Sequence, residues 1–205
     1  PGGDQIASGS YDNTIIIWDA KTGEQVSTLK GHTSAVDSVS WHPEGNQIAS
    51  CSSDETIIIW DANTGEQIST LKGHTGEVRS VSWSPNGDNI ASASDDRTII
   101  IWDAKTGEQV STLLGHSDYV RSVSWNPSSS QIASGSDDST VIIWDAKTGD
   151  KVSTLHGHTN YVMSVAWSPM DDPIVSCSKD NMLIIWDAIS CKHWESGVNS
   201  ERSFW

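Results

Sequence analysis

The stretch Ser53–Gln67 reads SDETIIIWDANTGEQ, and close copies of it begin at Tyr11, Asp95 and Asp137. Each copy has a run of β-branched residues followed by Trp-Asp, and the Trp-Asp pairs recur every 42 residues. Their tryptophans are Trp18, Trp60, Trp102, Trp144 and Trp186. Gly-His follows the same step, at Gly31, Gly73, Gly115 and Gly157. A strict repeat of this length with both dipeptides is typical of β-propeller blades.

Each repeat predicts four short strands, named a to d in chain order. In the second repeat these are AVDSVSW, QIASCSS, TIIIWDA and QISTLKG, which are separated by the turn sequences HPEGN, DE and NTGE. A four-stranded sheet of this kind buries its two faces by stacking on its neighbours. The sequence therefore predicts an all-β fold, a β-propeller of four-stranded antiparallel blades with about five blades.

The repeats resemble those of the WD40 family over nearly the whole chain, since five Trp-Asp and four Gly-His pairs stand in register. The resemblance implies one propeller domain over residues 1–205. We place its repeats at about 1–30, 31–72, 73–114, 115–156 and 157–189, with an irregular tail at 190–205. Family members usually have seven blades. Two interpretations stay open: the tail supplies a missing first strand and closes a five-bladed ring, or the chain is an arc of a larger propeller.

A His, a Ser, an Asp and a Trp stand at fixed positions in each complete repeat. A Ser-His-Asp set suggests a hydrolase, but a catalytic set is needed once per site and this one recurs in every repeat. The family resemblance implies a structural hydrogen-bond network instead, and we expect no catalytic residue and no enzyme. The sets are His32, Ser50, Asp54 and Trp60; His74, Ser92, Asp96 and Trp102; His116, Ser134, Asp138 and Trp144; and His158, Ser176, Asp180 and Trp186.

Composition and spacing argue against several other classes of function. The histidines recur one per repeat and lack the close spacing of metal ligands, and no glycine-rich phosphate loop opens a helix, so we expect neither metal nor cofactor. The net charge of −15 opposes binding to nucleic acid or anionic membranes. Three cysteines imply no disulfide framework and favour an intracellular, cytoplasmic or nuclear, setting. Cys51 and Cys177 share one repeat position with glycine and alanine, which predicts buried thiols.

Positions that differ between nearly identical repeats are those on which the blade structure imposes least. In the resemblance these positions face the upper rim of the propeller, where partners dock. We therefore expect a non-catalytic scaffold for a protein or peptide partner; the alternatives are a Ser-His-Asp hydrolase or a fragment without binding of its own. Exposed blade faces would favour self-association if the ring is open. The candidate partner-binding residues are Tyr119, Arg121, Tyr161, Met163, Asp137, Lys179, Arg79, Glu77 and Tyr11.

Overall fold

The computed structural model describes residues 2–170 and 172–188, and the backbone of residues 192–193. These residues form 19 β-strands in five antiparallel sheets, which we number as blades 1 to 5. Blade 1 has β1 (Gln5–Gly9), β2 (Thr14–Asp19) and β3 (Gln25–Lys30); blade 2 has β4 (Val36–Trp41), β5 (Gln47–Ser52), β6 (Thr56–Asp61) and β7 (Gln67–Lys72); blade 3 has β8 (Val78–Trp83), β9 (Asn89–Ser94), β10 (Thr98–Asp103) and β11 (Gln109–Leu114); blade 4 has β12 (Val120–Trp125), β13 (Gln131–Ser136), β14 (Thr140–Asp145) and β15 (Lys151–His156); blade 5 has β16 (Val162–Trp167), β17 (Ile174–Ser178), β18 (Leu183–Asp187) and β19 (Lys192–His193).

The strands of each blade pair in chain order, which confirms the predicted blade architecture. Strands β2, β6 and β10 share the β-branched run TIIIWD, which suits a pleated strand, and β6 and β10 are buried on both faces. Among the described residues, blade 1 is a three-stranded sheet in the order β1-β2-β3. Lys192–His193 pairs with β18 as the fourth strand of blade 5, although the sequence analysis placed these residues in the tail. Backbone pairing forms this strand although it lacks the Thr-Leu pair that the outer strands of the other four blades share.

Neighbouring blades stack through their first strands and share an apolar core. Strands β4, β8, β12 and β16 contact one another in that order. Between blades 2 and 3, for example, Cys51 and Ile57 lie in one cluster with Val81 and Trp102, and all four are at least 95% buried. Burying one such side chain stabilises the fold by about 1.5–3 kcal/mol. Stacking of blades therefore provides most of the core.

Serines on the first strands add hydrogen bonds between blades. The Ser40 hydroxyl accepts a bond from the Trp83 amide at 3.0 Å, and the Ser122 hydroxyl accepts one from the Val165 amide at 3.1 Å. In both pairs the residues are 43 positions apart, which is one residue more than the repeat, so these bonds fix how each first strand is aligned with the first strand of the next blade.

The two ends of the blades differ in the connections that they carry. At the end that we call upper, the turn between the second and third strands meets the connection that enters the first strand; the Ser53 amide donates to the Ala35 carbonyl at 3.0 Å there. At the lower end, the Ala62 amide donates to the Asn46 carbonyl at 3.0 Å. The lower turn at Gly65 has a φ of 75°, a conformation that favours glycine.

The two outermost blade faces differ from the faces between blades. On blade 5, Leu183 is 61% exposed, whereas Ile57 at the same repeat position is fully buried. Cys177 is exposed too, so the prediction that it is buried was wrong, while Cys51 is buried as expected. The reason is that blade 3 covers the Cys51 face and no described blade covers the Cys177 face. The tail segment that was predicted to supply the closing strand, Gly197–Trp205, lies outside the described residues, and the described contacts do not show a closed ring.

Candidate functional site

The predicted His, Ser, Asp and Trp side chains of blade 3 form one chain of hydrogen bonds. His74 Nδ1 lies 2.7 Å from Asp96 Oδ2, and His74 Nε2 lies 2.7 Å from Ser92 Oγ. The Trp102 indole N–H donates to the same Ser92 oxygen at 2.8 Å. Because an ionised carboxylate only accepts, Nδ1–H donates to Asp96, and in the neutral imidazole Nε2 is then the acceptor that faces the Ser92 hydroxyl.

The same arrangement is present in blades 2 to 5. The distance from His Nδ1 to Asp Oδ2 is 2.9 Å in blade 2, 2.7 Å in blade 4 and 2.8 Å in blade 5. In each blade the tryptophan donates to the serine at 2.7–2.8 Å. In blade 1, Trp18 donates to Ser8 at 2.8 Å and Asp12 accepts bonds from Thr14, but the printed sequence has no Gly-His before this blade.

The glycine before each histidine has a packing reason. A Cβ on Gly73 would lie 2.9 Å from Cη2 of Trp102, closer than real Cβ contacts allow. The indole of the same blade therefore lies directly against the backbone that presents His74. This contact explains why Gly-His and Trp-Asp recur together in the sequence.

The aspartate of each network also ties two chain segments together. Asp96 accepts bonds from the Thr98 amide, the Thr98 hydroxyl and the Thr75 amide at 2.9, 2.7 and 3.1 Å. Burial alone would raise the pKa of Asp96, but the hydrogen bonds from His74 and Thr98 outweigh it and hold the pKa well below its ordinary value. The carboxylate thus stays ionised and joins the turn before β10 to the connection that enters β8.

The network offers no accessible nucleophile. The Ser92 side chain is fully buried, and its oxygen already accepts the indole proton while its own proton goes to His74. A serine that attacks a substrate needs an exposed oxygen beside an oxyanion site. The geometry therefore suits a structural clamp on the upper connections.

The charged residues of the upper end form a second feature, which we call the ion-pair ladder. Arg79 binds Asp95 of its own blade through two nitrogens at 3.0 and 2.6 Å, and approaches Asp37 of the preceding blade at 3.3 Å. Arg121 repeats this with Asp137 at 2.9 Å and with Asp95 at 3.7 Å. The bonds to Asp95 raise the pKa of Arg79, as those to Asp137 raise that of Arg121.

The ladder also includes Glu77 and Ser53. Arg79 Nη2 lies 2.7 Å from Glu77 Oε2, and the Ser53 hydroxyl lies 2.9 Å from Asp37 and 2.8 Å from Glu77. Arg79, Arg121, Glu77 and Asp137 were predicted to bind a partner, but they are paired with other charged residues of the ladder. Asp137 is only 7% exposed.

Aromatic and apolar side chains of blades 4 and 5 remain exposed at this end. Tyr119 is 43% and Tyr161 is 40% exposed, and Met163 stands beside them in the repeat pattern at 39%. Arg121 lies over the Tyr119 ring at 5.3 Å from its centroid, and Lys179 lies over the Tyr161 ring at 5.1 Å. These cation–π contacts fix the two rings in place. We call Tyr119, Tyr161, Met163 and Lys179 the tyrosine patch.

Tyr11 occupies the same end on blade 1 and is 90% exposed. It is three blades away from Tyr119 along the chain, so the described structure does not bring it into the tyrosine patch.

An open groove of about 660 Å³ borders the patch at Tyr119. Its walls come from the upper connections of blades 2, 3 and 4. The charged side chains that line it are Glu55, Glu77, Asp95, Asp96, Arg97 and Asp118. Acidic groups thus outnumber basic ones in the groove, as they do in the whole chain.

Sequence reasoning missed both the ladder and the groove. A signal for the ladder was present, because Asp37, Arg79 and Arg121 recur at one repeat position and Asp95 and Asp137 at another. Opposite charges that alternate between two positions of adjacent repeats indicate pairing across blades. The groove has no comparable signal, since its walls come from three separate connections.

The described part of the chain holds no group of three or more His, Cys, Asp or Glu side chains arranged for a metal ion. Within the same residues there is also no helix that is long and apolar enough to cross a membrane.

Four-stranded sheets that stack on one another and each carry this buried network are blades of the WD-repeat β-propeller class. A family model described as the second β-propeller of echinoderm microtubule-associated protein matches residues 1–154, and a model described as the WD domain, G-beta repeat, matches residues 149–187. The chain belongs to this WD40-repeat β-propeller family. Propellers of the family are typically protein-interaction scaffolds and are generally non-catalytic.

Curated relatives are similar to the chain over about one repeat. A ribosome assembly protein 4 from Chaetomium thermophilum is 52% identical over 40 residues, which are 20% of this chain and 8% of that protein. The APC/C activator protein CDC20 from Saccharomyces cerevisiae is 49% identical over 39 residues, 19% of this chain and 6% of that protein. A WD repeat-containing protein 26 homolog from Arabidopsis thaliana is 50% identical over 38 residues, 18% and 6% respectively. The matches therefore show that the chain shares one repeat with each relative, and the matched segment is only a small part of that relative's length.

Proposed function

We propose that the chain is a non-catalytic scaffold that binds a protein or peptide partner at its upper end, through the tyrosine patch. The single observation that carries the proposal is that Tyr119, Tyr161 and Met163 are all exposed. Tyr119 and Tyr161 occupy the same position of adjacent repeats, and Met163 follows Tyr161 by two residues, whereas the other repeats carry small or charged residues at these two positions. Tyrosine and methionine are enriched at interface centres, where their large contact area stabilises a complex.

The ion-pair ladder supports this role because one of its arginines also contacts a tyrosine of the patch. Arg121 contacts both Asp137 and the Tyr119 ring, so the ring is held against a guanidinium that is itself held in place. A side chain that is already ordered loses little conformational entropy when a partner binds. We therefore assign Arg79, Arg121, Asp137 and Glu77 to positioning the surface, and the tyrosine patch to direct contact.

The groove beside Tyr119 suggests the chemistry of the partner. Five acidic side chains and one arginine line it. Glu77 and Asp95 already pair with Arg79, and Asp96 with His74, which leaves Glu55 and Asp118 to face a partner in a chain of net charge −15. A segment with lysine or arginine that lies in this groove while an apolar residue covers Tyr119 fits both features. Binding should then weaken as salt rises, because exposed charges are screened.

The experiment is a pull-down from a cell extract with the parent chain and a Tyr119→Ala/Tyr161→Ala double variant. We expect the variant to lose at least about 10-fold in recovery of the specific partner, since interface tyrosines commonly contribute about 1–2 kcal/mol or more. The matched control is Val110→Ala/Val152→Ala, because these side chains are 60% and 51% exposed on outer strands, away from the patch. Equal recovery of every protein by all three baits would refute the proposed patch.

A second candidate function is association with microtubules inside the cell. It is favoured by one observation, the match of residues 1–154 to a propeller of a microtubule-associated protein. Co-sedimentation with polymerised tubulin tests it, and the tyrosine double variant shows whether the same patch is used. A parent chain that stays in the supernatant at all tubulin concentrations would rule this candidate out.

A further inference from the structure

The two outermost faces of the blade array are apolar, and no other blade among the described residues covers them. We define the blade 5 face by Val175, Cys177, Leu183 and Ile185, and the blade 1 face by Ile6, Ile16, Trp18 and Ala20. Leu183 and Ile6 are 61% and 55% exposed. Soluble proteins seldom leave contiguous apolar faces open without a binding role.

The repeat shows which surface covers each face. The blade 5 face occupies the same repeat positions as Ala49, Cys51, Ile57 and Ile59 of blade 2, which pack against blade 3. The residues of blade 3 that complete this core include Ile90, Ile100 and Trp102, and the blade 1 face carries Ile6, Ile16 and Trp18 at those positions. The two outermost faces are therefore the two halves of one interface type that recurs between all neighbouring blades.

We propose that a second copy of this chain covers these faces, with blade 5 of one copy stacked on blade 1 of the next. Within the described residues both faces are exposed and do not cover each other. A contact between two different faces is heterologous, and it either closes a ring of copies or continues into a longer assembly. The interface is separate from the tyrosine patch and does not depend on the proposed binding function.

The first test is the mass of the intact chain in solution. One copy has a mass of 22.2 kDa. We expect the weight-average mass by light scattering or sedimentation to rise to twice this value or more between about 1 and 100 μM protein. A mass that stays at one copy over this range would overturn the proposal.

Single variants distinguish this geometry from other kinds of association. Leu183→Asp places a charge on the blade 5 face and Ile6→Asp places one on the blade 1 face, so each variant alone should remain monomeric. An equimolar mixture should form a 1:1 dimer that grows no further, because each variant retains one intact face. Failure of the mixture to dimerise, when each variant is folded, would overturn the head-to-tail arrangement.

Matched controls lie on the outer strands. Leu114→Asp and Ile68→Asp introduce the same changes at side chains that are 71% and 50% exposed away from both faces, and these variants should associate like the parent. If Leu183→Asp does not fold, Ile185→Asp tests the same face, since Ile185 is 39% exposed. Association of the parent that neither face variant weakens would also contradict the proposal.

The thiols give an independent readout of the same contact. Cys177 lies on the blade 5 face and is exposed, whereas Cys51 is buried between blades. In a Cys191→Ser background, maleimide labelling of Cys177 should slow at least about 10-fold as the chain associates, because only the open fraction reacts. Labelling at an unchanged rate in the associated state would show that the blade 5 face is not in the contact.

Discussion

Replacement of Asp96 by alanine tests the role of the buried network most sharply. The change removes the acceptor of four hydrogen bonds, from His74 Nδ1, the Thr75 amide, and the amide and hydroxyl of Thr98. Thr75 is exposed and Thr98 is half-buried, so water can replace those bonds. The His74 side chain is 0% exposed, and its Nδ1–H would keep only the Thr98 hydroxyl, 3.4 Å away, as a neighbour in place of the carboxylate. An unsatisfied buried donor costs about 1–3 kcal/mol.

Blade 1 supplies a matched control for this change. Asp12 accepts the equivalent bonds from the Thr14 amide and hydroxyl at 3.0 and 2.7 Å, but the chain has no histidine for it. Asp12→Ala therefore removes the turn bonds without leaving a buried histidine unpaired. The difference between the two variants isolates the contribution of His74 and the Thr75 amide.

The assay is urea unfolding monitored by tryptophan fluorescence, with hydrogen exchange at the Thr75 and Thr98 amides as a local readout. We expect Asp96→Ala to lower the free energy of unfolding by about 1–3 kcal/mol more than Asp12→Ala does. Exchange at both amides should accelerate in the Asp96 variant. Equal losses in the two variants would refute the view that the histidine bond clamps the blade.

Three further predictions concern acid, thiols and serines. Stability should fall as the pH drops from about 4, the ordinary aspartate pKa, to the pKa of about 2 for Asp180. The reason is that the unfolded chain binds more protons than the folded chain in this range. In Asp96→Asn the slope should be smaller by up to one proton, and an unchanged slope would contradict the lowered pKa of Asp96. Cys177 should react with maleimide in the native chain while Cys51 stays unmodified, since burial raises the pKa of Cys51 and hides it; equal labelling of both, measured by peptide mass spectrometry, would contradict the exposure difference. A fluorophosphonate probe should label no network serine, Ser92 included, and stoichiometric labelling of one would restore the hydrolase alternative.

The blade architecture could be predicted because every blade packs against its neighbours in the same way and carries nearly the same residues at the same repeat positions. The 42-residue period gave the strand order, and the fixed spacing of His, Ser, Asp and Trp indicated that these side chains meet. The structure shows His74, Ser92 and Asp96 in one chain of hydrogen bonds. The structural role of this chain stays a prediction until the variants are measured.

Other features depend on neighbours that a repeat pattern does not specify. The pairing of Arg79 with Asp37 joins residues 42 positions apart, and it follows from first strands that lie side by side in adjacent blades. The burial of a repeat position also depends on its place in the array, which is why Cys51 is buried and Cys177 is exposed. Blade 5 has no described neighbour on the face that carries Cys177, and the residue type at this repeat position does not indicate whether another blade covers it.

The most direct test of the central claim places a photo-reactive residue, such as benzoylphenylalanine, at Tyr161 and compares it with the same residue at Val110. Both positions are exposed, but only Tyr161 belongs to the tyrosine patch. If the upper end binds a partner, illumination should join one specific protein to the Tyr161 variant, and the additional Tyr119→Ala change should weaken that product. A product that forms equally from Val110, or that is unaffected by Tyr119→Ala, would contradict the claim that this surface binds the partner.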